Sequence, residues 1–125
     1  MKILIVEDEE SLRKDLKNLL AEGGFEVLES ANGAEGLEQV NNHQNDISII
    51  VSDYNMPEKN GIEMSEQIAK KAKIPIVILS SESSFELKDR ARKVGVVLWM
   101  VKPLNKDNFI PVIKKTIERF GSKNA

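Results

Sequence analysis

The stretch ISIIVSDYNMPEKNG, Ile47 to Gly61, sets a short β-branched run against a polar loop that contains a proline and ends in Asn-Gly. Ile47–Val51 is too short for a helix. Its Ile and Val content suits a strand buried on both faces of a parallel sheet, where no polar alternation is needed. Asp53 stands at the end of that strand. After the Asn60-Gly61 turn, Ile62 and Ile68, with Met64 beside them, give the next segment a helical apolar stripe.

The same strand-then-helix unit recurs on both sides. Further apolar runs lie at Ile3–Val6, Glu26–Leu28 (the weakest), Ile76–Leu79 and Val96–Val101, and all but the weakest are likewise expected to be buried on both faces. Between them, Leu12, Leu16, Leu19 and Leu20 fall at i, i+4, i+7 and i+8, and Gly23-Gly24 stops that helix. Ala34, Leu37 and Val40 mark a second helix after Asn32-Gly33. Leu87, Ala91 and Val94 mark a fourth, ending at Gly95. Phe109, Val112, Ile113, Ile117 and Phe120 mark a fifth. Five strand–helix units predict an α/β fold, with a parallel sheet covered by helices on both faces. With strand order 2-1-3-4-5, right-handed crossovers put helices one and five on one face and two to four on the other. Pro111 conflicts with a helix capped by Asn105, because it removes a hydrogen bond in the second turn. An irregular first turn is expected there, with regular helix from about Phe109.

Composition limits the alternatives. The chain has 125 residues, 30% charged and 41% hydrophobic, and no cysteine. A mass of 14.0 kDa gives a folded area of about 6,700 Å² against about 20,000 Å² unfolded, enough for one core. No stretch approaches the ~18 apolar residues of a membrane span, and the first apolar run is too short for a signal peptide. Without cysteine there is no disulfide scaffold and no thiol catalysis, which fits a reducing cytoplasm. The net charge of −2 conceals an asymmetry: residues 1–82 hold 8 basic and 16 acidic side chains, residues 83–125 hold 10 and 4. That split is either an uneven scatter of solvated charge or the footprint of a partner.

Ligands of doubly wound sheets sit at the carboxyl ends of the strands, where the strand order reverses. Glu7-Asp8-Glu9-Glu10 follows strand one, Asp53 ends strand three, Ser80-Ser81 ends strand four, and Lys102-Pro103 follows strand five. Glu9 and Glu10 read as a helix N-terminus. Taken singly, Lys102 is a surface lysine, Ser80 a loop hydroxyl and Asp53 a turn residue. Clustered carboxylates, however, repel unless a cation lies between them. Hard oxygen donors on strand ends favour Mg²⁺. An added ammonium and hydroxyl suit a phosphoryl group.

These motifs, ILIVEDEE, VSDYNMPEKNG, VILSSES and MVKPL in this order, resemble the response-regulator receiver domain of two-component signalling, most closely its stand-alone CheY type. The resemblance covers essentially the whole chain. It implies a flavodoxin-like (βα)5 three-layer sandwich over residues 1–121, with 122–125 as a short tail. It implies that Asp53 is the phosphoacceptor. Mg²⁺ would be held by Asp8, Asp53 and the main-chain carbonyl of Asn55, with Glu7 acting directly or through a water. Ser80 would bind a phosphoryl oxygen, Lys102 would pair with the phosphoryl group, and the Lys102-Pro103 peptide would be cis. Asn55 and Glu82 occupy the two positions that influence phosphoryl lifetime, and both match the chemotaxis pattern.

Three positions depart from the family. Glu7 replaces the commoner Asp, and Asn60 precedes Gly61 where Asp is usual. Trp99 stands where a Tyr or Phe usually rotates, so it is either a switch with Ser80 or a static aromatic at the core edge.

The resemblance also implies phosphoryl transfer from a sensor histidine kinase or a histidine phosphotransfer protein, and removal helped by a phosphatase. Output would pass to a docked partner, such as a flagellar motor switch protein. The basic set Lys88, Arg90, Arg92, Lys93, Lys106, Lys114, Lys115 and Arg119 is expected on the surface shared by helices four and five and strand five. Specific DNA binding is not expected, because the chain is net acidic and has no base-reading motif. The other readings are a phosphorelay or adaptor receiver with another output, and an Asp-nucleophile, Mg²⁺-dependent phosphohydrolase of the haloacid dehalogenase kind. The latter needs Asp-x-Asp, where this chain has Asp53 and Asn55. A flavin-phosphate site conflicts with Glu7–Glu10. A hydrolase triad would have to use His43, which reads as exposed loop. The chain is therefore expected to be a phosphoacceptor and not a turnover enzyme.

Overall fold

The structure is a computed structural model describing the backbone of residues 1–124 and the side chains of residues 1–120. The expected tail at 122–125 lies outside the residues whose side chains are described. Strands β1 (Lys2–Val6), β2 (Glu26–Ser30), β3 (Ile47–Asp53), β4 (Ile76–Ser80) and β5 (Val96–Val101) alternate with five helices. These are α1 (Glu10–Glu22), α2 (Gly33–Asn42), α3 (Gly61–Ala69), α4 (Phe85–Lys93) and α5 (Lys106–Asn124). All paired strands are parallel, in the order β2-β1-β3-β4-β5.

Successive strand residues point to opposite faces, and here both faces are covered. Ile3, Ile5, Ile49, Val51, Val77 and Leu79 pack with Leu16 and Leu20 of α1 and with Phe109 and Ile113 of α5. Leu4, Val6, Ile50, Ile76 and Ile78 pack with Val40, Ile62, Met64, Ile68 and Ala91 of α2 to α4. The predicted division of helices between the two faces is therefore what the structure has.

The helix boundaries follow local chemistry. Asn32 and Asn60 cap α2 and α3 by accepting the N–H groups of Glu35 and Glu63, and Glu63 returns a bond to Asn60 to close a capping box. Gly24 and Gly95 take positive φ just beyond α1 and α4, where a side chain would be strained.

Three expectations need correction. The fifth strand is not buried on both faces: Val97 and Val101 are 44% and 45% exposed. β5 is an edge strand, and its register with β4 shifts between the Ile76–Val96 and Val77–Leu98 pairs, which turns Val97 outward. The first turn of α5 is also regular. The Asn105 carbonyl accepts both Asn108 and Phe109 N–H, and the helix runs through Pro111 because Phe109 and Ile113, both fully buried, anchor the turns around it. Glu9 and Glu10 do stand at the N-cap and in the first turn of α1 as expected, although the Glu9 side chain makes no cap bond there. His43 is loop but only partly exposed: it stands at the C-cap of α2, and its Nδ1 lies 3.7 Å from Asp46.

Candidate functional site

Asp53 is the last residue of β3, and its side chain is buried beside the ends of β1 and β4. Its backbone is fixed on several sides. Ser52 Oγ donates to the Asp53 carbonyl at 2.9 Å, and Tyr54 N–H donates to the Leu79 carbonyl at 2.9 Å. The loop then returns so closely that Gly61 N–H bonds the Tyr54 carbonyl. A Cβ on Gly61 would stand 2.7 Å from the Asp53 carbonyl oxygen, so only glycine fits. Glu58, in the same loop, takes φ 68°, an uncommon state for a non-glycine residue.

Glu7, one residue past β1, is buried, while Asp8 is exposed. Glu7 Oε2 accepts the Glu9 N–H at 3.1 Å, and Oε1 is buried with no hydrogen bond. Lys102 reaches in from the end of β5. Its Nζ lies 2.7 Å from Asp53 Oδ1 and 3.7 Å from Glu7 Oε1. Ser80, buried at the end of β4, accepts the Glu82 N–H on Oγ at 2.9 Å, which leaves its own proton to donate. The Ser80 carbonyl accepts the Lys102 N–H, and the Lys102-Pro103 peptide is cis. Asn55 and Glu82 are exposed at the rim.

Electrostatics follow from this crowding. Burial pushes the Glu7 carboxyl up to about 7, against the Glu9 N–H and with the Asp53 charge adding to the rise. Burial also raises Asp53, although the Lys102 hydrogen bond and charge oppose it. For Lys102, burial works downward, but the bond to Asp53 and the charges of Asp53 and Glu7 outweigh it, so its ammonium is held above its ordinary value. Oxygen atoms of Glu7, Asp8 and Asp53 all lie within 4.8 Å of one another. Three carboxylates against one ammonium leave negative charge uncompensated, and the donors are all hard oxygens, one of them an unbonded buried atom. That set fits Mg²⁺.

The structure thus brings Glu7, Asp8, Asp53, Ser80 and Lys102 to one mouth. Trp99 lies one strand away. Its indole N–H donates to the Glu82 carbonyl at 2.8 Å, and its ring lies 5.6 Å from that of Tyr54 at 47°. Tyr54 carried no signal in the sequence beyond following Asp53. Arg13 carried none either, yet its Nη1 donates to the Glu7 carbonyl at 2.8 Å.

The basic set is less unified than expected. Lys114 lies over the Phe25 ring, and Lys106 lines a groove with Leu12, Asp15 and Leu19 of α1. Both therefore face away from α4. Arg119 does line a hollow with Val97, Leu98, Thr116 and Phe120. Arg92 and Lys93 both pair with Asp89, at 2.6 and 3.1 Å, and hold its carboxyl below its usual value.

Comparison with known proteins agrees with this geometry. Residues 3–114 match the response regulator receiver domain. The transcriptional regulatory protein PdtaR of Mycobacterium tuberculosis is 37% identical over 99% of this chain, which spans 60% of PdtaR's own length. The chemotaxis protein CheY1 of Helicobacter pylori is 33% identical, covering 94% of each chain. Among solved structures, chemotaxis protein CheY4 of Vibrio cholerae superposes with a TM-score of 0.83 at 31% identity, over 92% of this chain and 97% of that one.

Proposed function

The chain belongs to the response-regulator receiver family, and on that footing we propose that it accepts a phosphoryl group on Asp53 and thereby changes the face it offers to a partner. One observation carries the reading: the buried Asp53 carboxylate, paired with Lys102 at 2.7 Å, stands in a single cluster with Glu7 and Asp8.

The donor is a phosphohistidine on a sensor kinase or histidine phosphotransfer protein. An Asp53 oxygen attacks phosphorus as the P–N bond breaks, and the imidazole nitrogen keeps the bonding pair. Such a transfer needs positioning and charge neutralisation more than covalent help. Lys102 offsets charge on the transferring oxygens, and Ser80 donates its hydroxyl proton to one of them. Glu7, Asp8, Asp53 and the main-chain carbonyl of Asn55 would hold Mg²⁺, which would supply the remaining neutralisation. Water attack at phosphorus later releases inorganic phosphate, at a rate set by the rim residues Asn55 and Glu82 and by a phosphatase. The chain is thus a self-modifying phosphoacceptor and not a turnover enzyme. A groove of about 500 Å³ opens beside Lys102, lined by Leu12, Leu16, Leu19, Pro103 and Leu104.

Phosphorylation adds about −1.5 to −2 charges, drawing Ser80 and Lys102 to the new group. Their loops lead into α4 and α5, so the change reaches the α4-β5-α5 face, where Trp99 is bonded to the first loop at Glu82. Exposed Val97 and Val101 with Arg119, Lys88 and Lys115 form a mixed apolar and basic surface there, suited to an acidic partner. The Asn55 and Glu82 pair and the full-length likeness to chemotaxis proteins favour a flagellar motor switch protein as that partner, in the cytoplasm. A receiver with a different output, in a phosphorelay or as an adaptor, is favoured instead by the 37% identity to PdtaR.

Labelling by a small phosphodonor such as acetyl phosphate tests the assignment. Wild type should take up one phosphoryl group only with Mg²⁺, and Asp53→Asn should take up essentially none. Full labelling of the variant would overturn the reading.

A further inference from the structure

We propose that Arg13 is a positioning residue for the acidic pair, holding the Glu7–Asp8 peptide so that its carboxylates face Asp53. The inference rests on the phosphoacceptor reading and extends it to a side chain outside the mouth. The turn from β1 into α1 has an unusual weakness: its N-cap, Glu9, is extended (φ −83°, ψ 116°) and makes no side-chain cap bond. The cap's own N–H bonds the Glu7 side chain and leaves the Glu7 carbonyl to another partner, while the clustered carboxylates repel one another.

Arg13, in the first turn of α1, supplies the restraint. Its Nη1 donates to the Glu7 carbonyl at 2.8 Å, while its Nε stands 3.7 Å from Glu29 Oε1 on β2. Lys17 holds the other Glu29 oxygen at 3.1 Å. On the opposite side, Glu7 N–H donates to the Ser30 carbonyl at 3.0 Å. The Glu7 backbone is therefore gripped at both its donor and its acceptor. With Oε2 taken by the Glu9 N–H, Oε1 is the oxygen turned to Lys102. A guanidinium can bond a carbonyl on one strand end and face a carboxylate on the next through different nitrogens; a lysine ammonium has one nitrogen for both tasks. Groups that orient metal-binding side chains commonly matter tenfold or more to affinity without touching the metal.

The test uses the full chain with Mg²⁺ alone, measured by calorimetry, and amide exchange at Glu9 in metal-free protein, measured by NMR. Arg13→Ala should weaken Mg²⁺ binding about tenfold and speed exchange of the Glu9 amide, whose acceptor is the Glu7 side chain. Glu29→Gln, which removes the ion pair but leaves the carbonyl bond, should stay within about threefold of wild type. If Arg13→Ala does not fold, Arg13→Gln, which keeps most of the stem, replaces it with the same expectation. The proposal is overturned if the Arg13 variant leaves both readouts at wild-type values, or if Glu29→Gln matches it in both, since Arg13 then merely docks α1. Should wild type itself bind no Mg²⁺, the metal assignment fails, and the Glu9 exchange rate alone decides whether Arg13 positions the turn.

Discussion

Mg²⁺ binding should depend on pH in a way that reports Glu7. With its carboxyl pushed up to about 7 by burial, Glu7 carries a proton through much of the weakly acid range in the metal-free protein. A metal must displace that proton to use the oxygen. For one group titrating near 7, the dissociation constant should fall about eightfold between pH 5.5 and 6.5, and only about fourfold more by pH 8.5. Calorimetry in two buffers of different ionisation enthalpy would count the protons released, close to one at pH 5.5 and close to none at pH 8.5. Glu7→Gln should bind more weakly and lose most of this dependence. The raised Asp53 carboxyl adds to this slope in the same direction. The same shift sets the stability of the metal-free protein. Folded Glu7 keeps its proton where unfolded Glu7, near 4.5, has lost it, so stability falls as pH rises from about 4.5 to about 7. The loss is complete above that range and amounts to about 3 kcal/mol. Glu7→Gln should therefore raise the midpoint of metal-free urea unfolding at pH 8 and leave it unchanged at pH 4. A dissociation constant that is flat from pH 5.5 to 7, with no proton released, would show that Glu7 holds no proton for the metal to displace.

Other perturbations follow from the same contacts. Gly61→Ala drives a methyl group to 2.7 Å from the Asp53 carbonyl. It should cost about 1–3 kcal/mol in urea unfolding and slow labelling by acetyl phosphate, with a wild-type labelling rate as the contrary result. Trp99→Phe removes the indole bond to the Glu82 carbonyl; faster amide exchange across residues 81–84 is expected, and unchanged exchange would show that the indole does not hold this loop. Phe109→Ala empties a fully buried site between α5 and the sheet and should lower unfolding stability by about 3–5 kcal/mol. Reversing Lys93, Lys115 and Arg119 to Glu should abolish phosphorylation-dependent partner binding and its salt sensitivity, whereas reversing Lys106 and Lys114, which point elsewhere, should change both little.

What could be foreseen from the residues has a physical pattern. Ile47–Val51, Ile3–Val6 and Ile76–Leu79 announced the sheet because a strand covered on both faces needs apolar side chains at every position. The mouth was legible for a related reason: in this topology the residues that follow each strand must converge, so Glu7, Asp8, Asp53, Ser80 and Lys102 could be grouped before any distance was known. Features that depend on how elements meet were not legible. The outward turn of Val97 comes from a register shift against β4. The regular first turn of α5 depends on how Phe109 and Ile113 are gripped by the sheet. Lys114 and Lys106 belong by sequence to a basic segment, but the phase of α5 and its approach to α1 send them to another side. Arg13 reaches Glu7 across a turn whose path no local pattern specifies.

The claim that Asp53 receives the phosphoryl group is tested most directly by trapping the acyl phosphate. Borohydride reduction of protein treated with acetyl phosphate and Mg²⁺, followed by peptide sequencing, should find homoserine at position 53. Homoserine at position 8, or at any position other than 53, would contradict the account.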